Sequence, residues 1–178
     1  EISGVIIPKK TIYELSKLLS EIDDDVEILI SSNKVIFLIG NIVFISKLID
    51  GSFPDYKRVI PQNNNNVLKI NREILLSAVD RVSTIANDKS PVIKFKLLKN
   101  ILNLNTVNNE SSTASEDLKI NYDGDEVEIG FNSRYIMDIV NNLEDEDISI
   151  KLKDNTSPII ALENSNTNLV YVLMPMRV

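Results

Sequence analysis

Apolar and polar positions along this chain repeat one unit, a helix followed by strands, three times. In the first cycle Gly4-Val5-Ile6-Ile7 reads as a short strand, and Pro8 is well placed to open a helix because proline suits a first helical turn. Ile12, Leu15, Leu18, Leu19 and Ile22 then recur at helical spacing. The acidic turn Asp23-Asp24-Asp25 ends that helix. Val26, Ile28 and Ile30 alternate as a half-buried strand, and Lys34 to Ile39 and Asn41 to Leu48 read as two more, turned at Gly40-Asn41.

A turn-rich connector with aromatic anchors follows, Asp50 to Pro61, and Gln62 with Asn63 to Asn66 reads as a linker. The second cycle opens on a short strand around Leu68 and Ile70. Asn71 then caps a helix running to about Ala86, with Ile74, Leu75, Ala78, Val79, Val82 and Ile85 on one face. Val92 to Lys96 and Ile101 to Leu104 are predicted strands, Asn105 to Glu116 a polar hairpin tip, and Leu118 to Tyr122 the returning strand before a tight turn at Asp123-Gly124. In the third cycle Val127 to Phe131 is a strand and Asn132 caps a helix with Tyr135, Ile136, Ile139, Val140 and Leu143 inward. An acidic turn from Glu144 to Asp147, an alternating strand (Ile148, Ile150, Leu152) and strands at Ile159 to Leu162 and Asn168 to Met174 complete it.

The first and third cycles match at an offset of about 120 residues. Leu15, Leu18, Leu19 and Ile22 align with Ile136, Ile139, Val140 and Leu143. Val26, Ile28 and Ile30 align with Ile148, Ile150 and Leu152. A helix plus several strands, repeated without a βαβ rhythm, predicts an α+β protein in which each helix covers one face of an antiparallel sheet.

The chain has 178 residues, 43% of them hydrophobic and 25% charged, enough for a real core in one domain or one and a half. It has no cysteine and no histidine, which removes disulfides, Ser-His-Asp and Cys-His catalysis and the usual zinc sites. No apolar run is long enough to span a membrane and no signal-peptide pattern opens the chain; a cytosolic setting fits. Glu1 leads almost directly into a strand, so the chain is expected to begin inside a larger protein. The net charge of −7 argues against tight phosphate binding, unless charge is segregated by face.

Few residues stand out for chemistry. The acidic turns, Glu21 to Asp25 and Glu144 to Asp147, lack the alternating ligands and central glycine of a calcium loop, so they read as solvated turns. No phosphate-binding glycine loop or nucleophile elbow is present, and no carboxylate pair stands out for a hydrolase; neither metal nor cofactor is expected. Lys9, Lys10 and Lys17, Arg72 and Arg81, and Arg134 lie on the outward faces of the three helices among acidic residues. They form either an ordinary mixed surface or a weakly positive one facing a phosphate backbone. The tail, Tyr171-Val172-Leu173-Met174-Pro175-Met176-Arg177-Val178, is an apolar run that proline should stop near Met174. Its thioethers either fill a core or leave a soft surface suited to several partners.

Four motifs, in order, resemble the bacterial sliding-clamp family, the beta subunits of DNA polymerase III. They are Val5-Ile6-Ile7-Pro8-Lys9-Lys10, the connector Gly51 to Pro61, Ile129-Gly130-Phe131-Asn132 with Tyr135, and the terminal Met174-Pro175-Met176-Arg177-Val178. The resemblance covers essentially the whole chain. It implies the DNA-clamp fold: head-to-tail rings of two subunits with three similar domains each, helices lining a central hole. Residues 1–61 would be the second half of a middle domain and residues 62–178 a complete C-terminal domain.

The resemblance further implies a non-catalytic processivity factor of the bacterial cytoplasm that encircles duplex DNA without reading sequence. Lys9, Lys10, Arg72 and Arg134 would face the DNA. Polymerase III alpha subunit, clamp-loader delta subunit and other proteins carrying a Gln-Leu-x-Leu-Phe-like motif would dock in a pocket made by Pro54, Arg58 and Val59, by Asn132, Tyr135 and Pro158, and by Val172, Met174, Pro175, Met176 and Arg177. Arg81, Thr84 and Ile85 would lie at the ring interface. The first domain and the first half of the second are absent from this chain, so it is not expected to close a ring alone and its docking is expected to be weakened. The alternative is a stand-alone peptide-binding module with the same fold and no role on DNA.

Overall fold

Backbone polarity and the cap residues place the helices where the apolar period begins. The structure, a computed structural model, describes residues 4–22, 24–86, 91–107, 112–166 and 168–177. Glu1, Asp23 of the first acidic turn, the hairpin tip at 108–111 and Val178 lie outside the described residues. The chain divides into two compact units, Glu1–Asp55 and Tyr56–Val178.

In the first unit helix α1 (Lys9–Glu21) follows Pro8 and leads into an antiparallel sheet of β1 (Val26–Ile30), β2 (Lys34–Ile39) and β3 (Ile42–Lys47), in that order. Gly40 turns the β2–β3 hairpin at φ 53°, a conformation that favours glycine, and a Cβ there would displace the exposed Asp24 carboxylate at 2.6 Å. Val35, Phe37 and Ile39 are fully buried, with Leu15, Ile22, Val26 and Phe44 packed against them. Thr11 and Ser46 pair their hydroxyls at 2.6 Å beneath α1. The segment from Gly4 to Ile7 does not form a strand; it makes one isolated antiparallel bridge, Ile6 to Ile49. Ile28 and Ile30 alternate as expected but are exposed, because periodicity selects a face and cannot say whether anything covers it.

The second unit contains two cycles. The first is β4 (Asn66–Asn71), α2 (Arg72–Ser83), β5 (Val92–Leu98), β6 (Ile101–Val107) and β7 (Thr113–Lys119). The second is β8 (Val127–Asn132), α3 (Ser133–Asn141), β9 (Asp147–Leu152), β10 (Ile159–Glu163) and β11 (Tyr171–Leu173). The sheets run β7-β6-β5-β8 and β11-β10-β9-β4, all antiparallel. Each cycle therefore lends its leading strand to the other's sheet. Two amides continue the exchange into the helices: Arg72 N donates to Glu146 O at 2.8 Å, and Ser133 N to Pro91 O at 2.9 Å. Between the sheets one core joins Leu75, Val79 and Val82 of α2 with Ile136 and Val140 of α3, and Phe95 meets Phe131 edge to face at 5.3 Å.

Three isolated bridges mark equivalent positions in the three cycles: Ile6–Ile49, Lys69–Asn121 and Gly130–Met176. Each first partner lies two residues before a helix cap, Pro8, Asn71 or Asn132. Ile12 is thus equivalent to Leu75 and Ile136, and Leu19 to Val82 and Leu143. The alignment of Leu15 with Ile136 read from the sequence is displaced by about one turn, a slip that helical periodicity cannot detect.

Several expected inward positions face solvent. Ile74 and Tyr135 are exposed, as are Phe53 and Tyr56, so the connector carries no buried aromatic anchor. The polar hairpin is strand up to Val107 and again from Thr113, with only its tip between, because cross-strand pairing, helped by strand-favouring Thr106 and Thr113, outweighs the weak β propensity of Asn105, Glu116 and Asp117. The asparagine run is not all linker: Asn66 joins β4, and the Asn64 side chain donates to Lys151 O at 3.1 Å and Pro158 O at 2.8 Å.

Asn71 and Asn132 both sit in extended backbone and accept from the first helical turn, at Ile74 N and Arg134 N. An Asn71→Ala variant should lose about 1 kcal/mol of stability, read as a lower urea midpoint with an unchanged slope.

Candidate functional site

The tail does two jobs that alternate along its backbone. In β11, Ile159 pairs with Leu173 and Ile160 with Val172. Leu173 is buried in the core, so Val172 and Met174 stand on the opposite face of the strand, the first half-buried and the second 58% exposed. Pro175 has no amide hydrogen to donate, and the β10–β11 ladder stops at Leu173. The chain then re-engages: Met176 N donates to Gly130 O at 2.8 Å, which ties the tail to β8 two residues before the Asn132 cap.

Pro158 lies one step beyond the Ile159–Leu173 pair, beside Met174 in register. Its loop is set by Asp154, whose carboxylate accepts from Thr156 N at 2.9 Å, Ser157 N at 2.7 Å and both hydroxyls. Those bonds, the Thr156 amide first, hold the Asp154 carboxyl down at about 2. Asn64 fixes the loop's far end through Pro158 O. Sequence reading missed Asp154 and Asn64; the Asp-x-Thr-Ser spacing, typical of an Asx turn, was the available signal.

The structure thus brings Asn132, Pro158, Val172, Met174, Pro175 and Met176 into one neighbourhood, with exposed Tyr135 on the outer face of α3 and exposed Arg177 beyond the bridge. Arg58 closes, and Val59 follows, a short 3-10 turn (Tyr56–Arg58) held by Val59 N to Tyr56 O at 3.0 Å; both side chains are exposed. Pro54, also exposed, belongs to the first unit. The neighbourhood offers thioether and aliphatic surface edged by an amide cap, a phenol and a guanidinium. That suits apolar anchors with a few oriented polar groups, not bond making.

The basic candidates share one address. Lys9 and Lys10 occupy the first turn of α1, Arg72 of α2 and Arg134 of α3. A cation there opposes the helix macrodipole by about 0.3–1 kcal/mol, so each helix presents added positive potential at its N-terminus. Arg72 is half-buried, 3.6 Å from Glu73, and its Nε is buried without a hydrogen-bond partner. Lys17 instead pairs with Glu14 and lies over the Tyr13 ring at 4.2 Å.

At the end of α2, Arg81 is held by Glu116 of β7 through bonds of 3.1 and 2.6 Å, which raise the arginine's pKa and lower the carboxyl's. Thr84 is exposed and donates to Asp80 O; Ile85 is half-buried. The second acidic turn is more than solvated. Glu163, buried, accepts from Glu144 N at 2.8 Å, while Asp145 accepts from Asn164 N and Ser165 N. The Ser165 hydroxyl and these amides hold the Asp145 carboxyl low. Among the described residues no acidic cluster could hold a metal ion.

Residues 57–177 match the family model of the C-terminal domain of the DNA polymerase III beta subunit, and residues 1–55 match the model of its central domain. The chain is 38% identical over 177 residues to the beta sliding clamp of Caulobacter vibrioides and 35% over 174 residues to that of Escherichia coli K12. It covers 99% and 98% of itself in these matches but 48% of each relative, so it spans about half their length. Among solved structures, the sliding clamp of Bartonella birtlesii bound to griselimycin superposes with a TM-score of 0.91 at 47% identity, over 99% of this chain and 48% of that one.

The Asp154 carboxyl should titrate in carbon-detected NMR with a midpoint of about 2. Because its folded value is depressed, its contribution is present above the unfolded value of 3.8 and is lost as pH falls through about 2. Asp154→Ala should shift the Pro158 and Met174 resonances at neutral pH while leaving those of β5 and β6 in place.

Proposed function

The chain belongs to the DNA polymerase III beta subunit family, and on that premise we propose that it serves in a DNA sliding clamp. In this reading residues 1–61 are the second half of the middle domain and residues 62–178 the C-terminal domain. The assembled protein is a head-to-tail ring of two subunits, placed around duplex DNA in the bacterial cytoplasm. It performs no bond chemistry of its own; it keeps a polymerase on its template.

The observation that carries the docking half of this proposal is the Met174-Pro175-Met176 bracket. One strand face is committed to the core through Leu173, and the other is left to solvent beside Pro158 and the Asn132 cap. Methionine on a fixed backbone accepts leucine and phenylalanine anchors of differing shape. The occupant would be a Gln-Leu-x-Leu-Phe-like segment of the polymerase alpha subunit, the clamp-loader delta subunit or another client. Tyr135, Arg177 and Arg58 would meet its polar groups, and Val59 would extend the apolar floor.

The DNA half rests on the shared address of Lys9, Lys10, Arg72 and Arg134. Weak positive potential at helix N-termini, within a chain of net charge −7, suits a protein held by topology rather than affinity. Every tight phosphate contact would have to break at each step along the duplex. Arg81, Thr84 and Ile85 would meet the neighbouring protomer, Arg81 being pre-set by Glu116.

A fluorescent Gln-Leu-x-Leu-Phe peptide titrated into this chain should bind saturably. The Met174→Ala/Met176→Ala double variant should bind at least about tenfold more weakly, a change of roughly 1.4 kcal/mol. An unchanged affinity in a variant that retains its circular dichroism would overturn the docking assignment.

A further inference from the structure

The asparagines that join the connector to β4 are not equivalent. Asn63 takes a left-handed backbone at φ 67°, which asparagine tolerates better than most residues. Asn64 follows half-buried, between Asn63 and Asn65, which are both exposed. Its Nδ2 donates to Lys151 O at 3.1 Å and to Pro158 O at 2.8 Å. Lys151 lies in β9 and Pro158 stands just before β10, so one side chain spans both ends of the loop between those strands. A primary amide has two donor hydrogens, and both are engaged here. Its Oδ1 is buried and has no hydrogen-bond partner among the described residues. A buried acceptor left unpaired is destabilising, and an apolar side chain of the same shape would fill the space without that cost. What the amide adds is a fixed spacing between segments of backbone.

Two walls of the candidate docking site depend on that spacing. On one side the chain runs back from Asn64 through Pro61 to Val59 and Arg58. On the other, Pro158 stands beside Met174 in register. Both walls belong to the second unit. The β9–β10 loop is already tied internally, since the Asp154 carboxylate accepts from the Thr156 and Ser157 amides. It is held as one piece, and Asn64 sets where that piece rests. We infer that Asn64 is a positioning residue of the docking site: it clasps the connector to the β9–β10 loop and so fixes the wall that Pro158 presents to an apolar guest side chain. The inference rests on the peptide-docking reading of the tail, and it concerns a residue that acts through Pro158 instead of touching the guest. A guest that meets a pre-set wall spends no binding energy on ordering it. Loss of the clasp therefore shortens the guest's residence more than it slows its arrival.

The test is a titration of the full 178-residue chain with the fluorescent Gln-Leu-x-Leu-Phe peptide, with circular dichroism recorded for every variant. Asn64→Ala should weaken binding at least about fivefold, mainly through faster dissociation. Asn65→Ala, at the exposed neighbouring position, should leave the affinity unchanged. Because Asn64 acts through Pro158, the two changes should not be additive: in a Pro158→Ala background Asn64→Ala should cost less than about twofold. A general loss of structure would instead lower the affinity by the same factor in both backgrounds. Where Asn64→Ala does not keep its circular dichroism, Asn64→Gln, which carries the amide one methylene further out, takes its place with the same expectation. Wild-type binding with an unchanged affinity in the Asn64 variant, or equal losses in the two backgrounds, would overturn the inference and leave the docking reading intact. Absence of wild-type binding would overturn the docking reading and the inference with it.

Discussion

In the second unit neither cycle can be completed without the other, because β4 finds its ladder on β9 and β8 finds its ladder on β5. A strand that left its own helix's sheet unpaired would leave buried amides without acceptors, at about 1–3 kcal/mol each. The exchange removes that penalty from both sheets at once and brings α2 against α3. Most of what is proposed as functional in the second unit hangs from it. β8 ends in the Asn132 cap and receives the tail at Gly130, and β9 and β10 carry the loop with Pro158. The helix N-termini that carry Arg72 and Arg134 are anchored through the amides that complete the exchange.

Much of this was legible in the residues, and the reasons are local. Asparagine before an apolar period marked the caps of α2 and α3, glycine marked the β2–β3 turn, and proline marked the end of β11. The α+β class followed from the alternation of helical and strand periods. What could not be read was coverage. The same alternation makes Ile28 and Ile148 look alike, although one is exposed and the other buried, because the difference lies in a strand far away in sequence. The outward turn of Tyr135 and Ile74 has the same origin. The candidate docking residues were named through resemblance, and composition alone left the methionines between core and surface. The Asp154 turn and the Asn64 tie were overlooked because short polar side chains look like loop filler until their hydrogen-bond partners are located.

Charge tells a similar story at a different scale. The chain is acidic overall, yet its cations are not spread evenly, for Lys9, Lys10, Arg72 and Arg134 share the first turn of three equivalent helices. Net charge describes the far field, which governs solubility and encounter. The first-turn residues describe a near field that adds to the helix dipoles and decays within about 8–10 Å at physiological salt. A polyanion brought close to those helix ends would meet attraction that a distant one would not.

The bridge from Met176 to Gly130 gives the tail an unusual combination of stiffness and softness. Its backbone is held on two sides, by β10 and by β8, so a guest arriving there orders little main chain and avoids about 1–2 kcal/mol of entropy for each residue that would otherwise be fixed. The thioether side chains keep their three torsions. Adaptation is therefore confined to rotamers, and guests of differing contour can be accommodated while the frame that orients them stays still.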